Sequence, residues 1–288
     1  MTSFTSPIPT IRPALPRDKA DVAEFTKFIW DGHDYVGEVF PRWLEDPHGI
    51  LLAAEYAGKC VGCAKVSLIA SGQWWLEGFR VDPKFQDKRI GSRLDAACNQ
   101  WWDEHGDGML RLMTNSKRVK VHHLSETRGF VRAGEVCAYA AEPLTKATDA
   151  FTPLQPEEAE EAAALCQRWM PNGYLNIGWK FAAPNAEAMR AALQDESLFF
   201  WWRGRKGIVS AWEDDEEDGN RFIVGMEACA GEDRVQLLED VRRLASARGS
   251  VVLRWMNIMS ESILRDLDTA GYRKDWDDAA YLYERRHS

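Results

Sequence analysis

The residues Val81-Asp82-Pro83-Lys84-Phe85-Gln86-Asp87-Lys88-Arg89-Ile90-Gly91-Ser92-Arg93-Leu94 carry the clearest chemistry in this chain. A strand pattern ends at Asp82-Pro83 and helical spacing begins at Ile90. The first turn of a helix has backbone N–H groups without intrahelical partners and a partial positive charge. A glycine-containing loop ahead of it lets those groups approach a pyrophosphate. Lys84, Lys88, Arg89 and Arg93 add positive charge around the same turn. A ligand with several phosphates fits, and coenzyme A has both a pyrophosphate and a ribose 3′-phosphate. The competing reading is a basic helix start in solvent. No G-x-x-x-x-G-K-[ST] run is present, so a Walker loop is excluded. The preceding strand closes an antiparallel meander, which disfavours a dinucleotide-binding βαβ unit.

This stretch resembles the acetyl-CoA signature of the GCN5-related N-acetyltransferase (GNAT) superfamily, [QR]-x-x-G-x-[GA]. Gln86 fills the first position and Gly91 the last, while Arg89 stands at the middle glycine. The resemblance covers residues 11–141. Within it, Gly32-His33-Asp34-Tyr35, Trp43-Leu44, the Gly58-Lys59 turn and Glu77-Gly78-Phe79-Arg80-Val81 are most similar to histidine N-acetyltransferase-like proteins. The resemblance implies acetyl-CoA as acyl donor and no metal. It implies that Phe79, Arg80 and Val81 present backbone to the pantetheine amides. It implies that Gln86, Asp87, Lys88, Arg89, Ile90, Gly91 and Ser92 hold the phosphates. Asn115 matches a position that contacts the cofactor arm, its other reading being a loop cap.

The resemblance also implies a base, because an amine of pKa about 10 is almost wholly protonated at neutral pH. Glu77 is the candidate. Strand alternation puts it on the face of Phe79 and Val81, and Gly78 leaves room for an acceptor. Its other reading is an ion pair with Arg80 or Arg111 across the sheet. The family often has a tyrosine four residues before its late Gly-Phe pair. Counting back from Gly129 gives Ser125, so Ser125, Tyr139, His122 and His123 all stand as candidate acids. Asp31, His33, Asp34 and Tyr35 lie at a break between the first helices, where the family builds its acceptor pocket. Turn chemistry is their other reading.

These residues need elements to hold them. Ile11 opens a short strand, and helical patterns follow at 18–29 and 39–44. Three strand patterns then run as a meander to Val81, ahead of the helix with Leu94, Cys98 and Trp102. A Pro- and Thr-rich stretch over 141–156 reads as a linker. It divides the chain into an acetyl-CoA domain, 1–144, and a second domain, 145–288, that repeats the element order. Ala228-Cys229-Ala230-Gly231-Glu232-Asp233 places acid where phosphates would sit, so the second domain is expected to be degenerate and without coenzyme A. The expected fold class is α/β (α+β), a tandem acyl-CoA N-acyltransferase fold, each unit a mixed, mostly antiparallel sheet flanked by helices.

Bulk properties narrow the rest. A formal net charge of −9 over 288 residues argues against a general nucleic-acid binder. No apolar run approaches the ~18 residues of a membrane span, and the first residues lack a secretory pattern, so a cytoplasmic location is expected. The six cysteines are scattered, and Cys60-Val-Gly-Cys63 sits within a strand pattern with no second ligand pair nearby. The expected function is acetyl transfer from acetyl-CoA to the primary amine of a small molecule or amino acid, by direct attack in a ternary complex. The second unit would shape the pocket or a homodimer. Alternatives are a protein or peptide N-acetyltransferase, or a non-catalytic acyl-CoA sensor.

Overall fold

Glycine turns and apolar strands build the first half. In this computed structural model the described residues are 8–29, 34–86, 88–146, 148–195, 197–216 and 219–288. Thr10–Pro13 (β1) pairs antiparallel with Ile50–Tyr56 (β2). Ala57-Gly58, both at positive φ, turn β2 into Lys59–Ala70 (β3), and Ser71-Gly72 turns β3 into Gln73–Val81 (β4). Helices Asp18–Thr26 (α1) and Val36–Glu45 (α2) cover one face. There Val22, Phe25, Val36, Phe40 and Trp43 pack with Leu51, Ala53, Cys60 and Cys63. Helix Ile90–His105 (α3) covers the other face. Its Ile90, Leu94, Cys98 and Trp102 are buried at four-residue spacing, the stripe of an amphipathic helix. Met109–Asn115 (β5) runs parallel to β4.

Two compact units divide the chain. The first is Met1–Leu112 with Glu126–Gly129 and Arg285–Ser288; the second is Met113–Ser125 with Phe130–Glu284. The sequence reading put the boundary between 144 and 145. The division instead gives the end of the first half to the second unit and the end of the second half to the first. After Val119–Thr127 (α4) comes Val131–Ala141 (β6), which is a central strand of the second unit. The reason is pairing: β6 bonds antiparallel to Val252–Ile258 (β13) on one side, and to Arg273–Lys274 (β14) and Ala280–Arg286 (β15) on the other. The Pro-rich segment marks where the backbone is irregular, not where the contacts divide.

The rest of the second unit repeats the meander. Phe151–Pro153 (β7), Leu198–Trp202 (β10), Gly207–Glu216 (β11) and Gly219–Cys229 (β12) are antiparallel neighbours in the order β7-β10-β11-β12, and β13 is parallel to β12. Ala159–Trp169 (α5) and Ala186–Gln194 (α6) flank this sheet, with the hairpin Leu175–Ile177 (β8) and Lys180–Ala182 (β9) between them in sequence. Arg234–Ala247 (α7) and Glu261–Thr269 (α8) contribute Leu237, Leu238, Val241, Ile263 and Leu267 to its main core.

The tail is bound within the first unit. Arg285 Nη2 pairs with Asp103 Oδ1 at 2.5 Å, and its guanidinium lies 4.8 Å from the Trp102 ring centroid. His287 N donates to Gly108 O at 2.8 Å, and its Nε2 lies 3.2 Å from Asp103 O. These contacts close the C-terminal end of α3.

Candidate active site

Alternation along β4 breaks at Gly78. Glu77 pairs with Lys65 and Arg80 with Cys63, so three steps on β4 match two on β3. This is a β-bulge, in which two residues oppose one. Gly78 adopts φ 62, a conformation that glycine enters without a Cβ penalty. A Cβ built there would lie 2.4 Å from the Trp43 indole, so α2 packs directly on the bare Cα. The extra residue corrects the expected parity. Glu77 and Arg80 face α1 and α2. Phe79 faces α3, its ring 3.6 Å from a Cβ built on Gly91, and Val81 pairs with Gly62, which abuts Leu94 and Ile90. Glu77 therefore shares a face with Arg80, not with Phe79 and Val81.

The bulge coincides with a parting of strands. Pairing of β4 with β5 covers Gln73–Met109, Trp74–Leu110 and Trp75–Arg111, and stops there. Beyond it, the β5-facing edge of residues 76–81 has no strand partner among the described residues of the first unit. An unpaired strand edge offers N–H and C=O groups to an extended ligand arm.

The loop after β4 is tightly built. Asp82 N donates to Val61 O at 2.9 Å, and Asp82 Oδ1 accepts from Lys84 N at 2.9 Å. Pro83–Phe85 forms one turn of 3-10 helix. Phe85 packs edge-on against Tyr56 at 5.4 Å, and Lys88 Nζ lies 4.8 Å over Tyr56 and 5.0 Å over Phe85. Arg89, the N-cap of α3, has φ 58 and ψ 18 and makes no side-chain cap. Left-handed backbone is unfavourable for a residue with a Cβ, which explains why glycine suits this position of the signature. Gln86, Lys88, Arg89 and Ser92 are exposed, Gly91 is half-buried and Ile90 is buried. Together they form a basic, open helix start suited to phosphate. Asp87 lies outside the described residues.

On the opposite face, Arg80 Nε donates to Asp34 Oδ2 and the guanidinium sits 5.7 Å from the Tyr35 ring centroid. Asp34 Oδ1 also accepts from Val36 N at 3.0 Å, at the start of α2. Asp34 thus serves the fold as an ion-pair and turn residue. The Tyr35 ring meets Trp43 edge-on at 6.0 Å. Its hydroxyl is pushed up by desolvation first and by the Glu77 carboxylate next, against the pull of Arg80. With 45% of Tyr35 still open to solvent, water screening trims that shift. Glu77 Oε1 accepts from Ser67 Oγ at 2.6 Å. Asp31 and His33 lie outside the described residues. Ser67 escaped the sequence reading, although two-residue alternation from Lys65, opposite Glu77, would have pointed to it.

The remaining sequence candidates belong to the second compact unit. Asn115 Oδ1 accepts from Lys117 N at 2.9 Å, the loop-cap role. Ser125 is buried near the end of α4 and its carbonyl accepts from Phe130 N at 3.1 Å. Tyr139 packs against the second unit's main core, its ring 6.4 Å from Trp255. His122 Nδ1 lies 3.2 Å from Tyr283 Oη; His123 is on the same helix. Among the described residues no group of three or more His, Cys, Asp and Glu could hold a metal ion. No described helix is long and apolar enough to cross a membrane.

The corresponding place in the second unit is filled. Pairing of β12 with β13 ends at Val224–Trp255. Past that point Asn257 Nδ2 donates to Gly225 O at 2.6 Å and to Tyr174 O at 3.0 Å, and Asn176 Nδ2 donates to Met256 O at 3.0 Å. A Cβ on Gly225 would lie 2.3 Å from Asn176 O. Trp255 Nε1 donates to Glu227 at 2.7 Å. Only Ala230 and the turn Gly231–Asp233 separate β12 from α7, and that turn carries Glu232 and Asp233.

Glu227 gives a first expected outcome. Burial, opposed by the Trp255 hydrogen bond and Arg234, pushes its carboxyl up to about 7 from 4.5. The folded chain therefore holds this proton more tightly than the unfolded one. The associated stability is fully present below 4.5 and is lost as pH rises through about 7. Glu227→Gln, which keeps an acceptor for Trp255, should stabilise the second unit at pH 8.5 by about 1–2 kcal/mol and little at pH 4.5, after discounting for the residue's partial exposure. Denaturant unfolding at the two pH values reads the difference. Equal gains at both would remove this account of Glu227.

The family model described as acetyltransferase (GNAT) family matches residues 19–130. An aminoglycoside N(6')-acetyltransferase type 1 from Stenotrophomonas maltophilia is 31% identical over 131 residues, 42% of this chain and 86% of that protein. The probable N-acetyltransferase 16 of Homo sapiens is 22% identical over 200 residues, 62% of this chain. The match spans about half, 54%, of that relative's length. A solved tandem GNAT protein from the clavulanic acid biosynthesis pathway superposes with a TM-score of 0.63 at 11% identity, covering 97% of this chain and 99% of that one.

Proposed function

Because this chain is a member of the acetyltransferase (GNAT) family, and so an acetyltransferase, we propose that it moves an acetyl group from acetyl-CoA to the primary amine of a small molecule or amino acid. The observation that carries this reading is the bulged end of β4. It joins an open strand edge, a basic helix start on the α3 side and a carboxylate on the α1–α2 side. An extended pantetheine arm would lie along the edge of residues 76–81 as an added strand. The phosphates would meet the first turn of α3 and the cationic groups of Lys88 and Arg89. On the other face Glu77 would attract an ammonium and take its proton. The free amine then attacks the thioester carbonyl, the C–N bond forming and the C–S bond breaking, with both substrates bound. Coenzyme A leaves as a thiolate and, with a thiol pKa of about 8.5, takes up the proton that the nitrogen sheds as the amide forms, so no separate strong acid is needed.

The test is thiol release from acetyl-CoA with a panel of amino acids, aminosugars, polyamines and lysine peptides. Release with small amines supports the proposal. Release with peptides alone favours a protein acetyltransferase. Tight acetyl-CoA binding without release from any amine favours a sensor.

Two outcomes follow for the cofactor. The second unit's filled strand gap and acidic turn support a binding stoichiometry of one acetyl-CoA per chain, read by calorimetry; two equivalent sites would refute it. Arg89→Gly relieves the left-handed backbone and should stabilise the chain by about 1 kcal/mol in thermal unfolding. Loss of its charge should weaken acetyl-CoA binding about threefold to tenfold, the scale of one partly screened ionic contact. Binding as tight as the wild type's would show that the side chain adds nothing.

A further inference from the structure

Glu77 sits at the last regular pair before the bulge, opposite Lys65. Regular β3 pairing resumes only at Arg80, so the backbone beside Glu77 does little to fix its side chain. A glutamate also has three rotatable side-chain bonds, which leaves many orientations open. One neighbour restricts it. Ser67 pairs with Trp75, which makes it the diagonal cross-strand neighbour of Glu77 on the α1–α2 face. Its hydroxyl is 2.6 Å from Glu77 Oε1 and the residue is only 9% exposed. That is at the short end of the range for an O–H···O hydrogen bond.

The two nearest cations on this face are already engaged. Lys65 Nζ donates to Asp46 and to Val66 O. Arg80 pairs with Asp34. The Tyr35 ring rests on Trp43. The Ser67 hydroxyl hydrogen-bonds Glu77 directly, and it takes one carboxylate oxygen only, Oε1.

We propose that Ser67 is a positioning residue for Glu77, holding Oε1 so that Oε2 is presented to the acceptor's ammonium. This rests on Glu77 acting as the base. In this role Ser67 acts through Glu77, so its removal should reduce turnover and leave donor binding alone.

The experiment is steady-state kinetics on the full chain with acetyl-CoA and the best amine of the panel, for Ser67→Ala, Ser67→Thr, Glu77→Gln and the double variant S67A/E77Q. Melting temperature and acetyl-CoA Kd are checked alongside. Ser67→Ala should lower kcat about tenfold with KM for acetyl-CoA unchanged. Ser67→Thr, which restores a hydroxyl on a strand, should recover kcat to within about threefold. S67A/E77Q should be no slower than Glu77→Gln alone, since nothing remains for the hydroxyl to position. A wild-type kcat for Ser67→Ala, no recovery with threonine, or a tenfold loss that persists on the Glu77→Gln background overturns the role of Ser67 and leaves Glu77 as base. Wild-type turnover by Glu77→Gln overturns both.

Discussion

Glu77→Gln should lower kcat/KM for amine acetylation at pH 7 by roughly 10²–10⁴, the usual worth of a positioned general base. Glutamine keeps the length of the side chain and can still accept from Ser67, so the lattice of contacts around β4 stays intact. What it loses is the ability to take a proton. The loss should therefore fall on turnover, with acetyl-CoA Kd unchanged. It should also shrink as pH rises toward the amine's own pKa of about 10, because solution hydroxide then supplies the free amine without help. A defect of constant size from pH 7 to 10 would point to lost substrate binding instead. A normal rate at pH 7 would remove Glu77 as the base.

Gly78→Ala should be strongly damaging to the first unit. The backbone there has φ 62, and the new methyl would stand 2.4 Å from the Trp43 indole. Left-handed backbone costs about 1–2 kcal/mol for a residue with a Cβ, and forcing an extra carbon into packed surroundings costs about 1–3 kcal/mol more. The sum, roughly 2–5 kcal/mol, should appear as a fall in melting temperature of about 5–15 °C for a unit of this size. Turnover should fall as well, because the bulge is what brings Arg80 to the face of Glu77 and sends Phe79 and Val81 toward α3. Combining the change with Trp43→Leu separates the two costs. The packing share should be relieved and the backbone share should persist. A Gly78→Ala protein with wild-type melting and kinetics would mean that the bulge can be ironed out without consequence.

The elements around the candidate site were legible because their signals are local. Gln86, Gly91 and the surrounding basic residues are neighbours in sequence, and so are the strand end and the helix start. The face of Glu77 was not legible from alternation, because alternation assumes that no residue is added. Gly78 was the available warning, since glycine inside a strand often marks a bulge. The pairing of Asp34 with Arg80 and of Ser67 with Glu77 depends on register across a helix break and a hairpin, which composition does not encode. The partners of the strand that ends the first half were not legible for a related reason. β6 takes its partners from residues more than a hundred positions downstream, and nothing in its own sequence distinguishes those partners from nearer ones.

The returning tail bears on how the chain is made. Asp103 and its partner Arg285 stand 182 residues apart. At typical synthesis rates the first of these waits roughly ten to forty seconds on the ribosome for the second to be added. During that time the indole of Trp102, near the far end of α3, lacks the guanidinium that later lies 4.8 Å from its ring. The nascent first unit is therefore an unfinished body with an uncovered apolar patch, the kind of surface that chaperones hold and that aggregation exploits. Closing so long a loop also makes the final docking step entropically slow. Shortened chains that stop before residue 285 should then show their weakness first in yield from the cell, before any assay of chemistry is run.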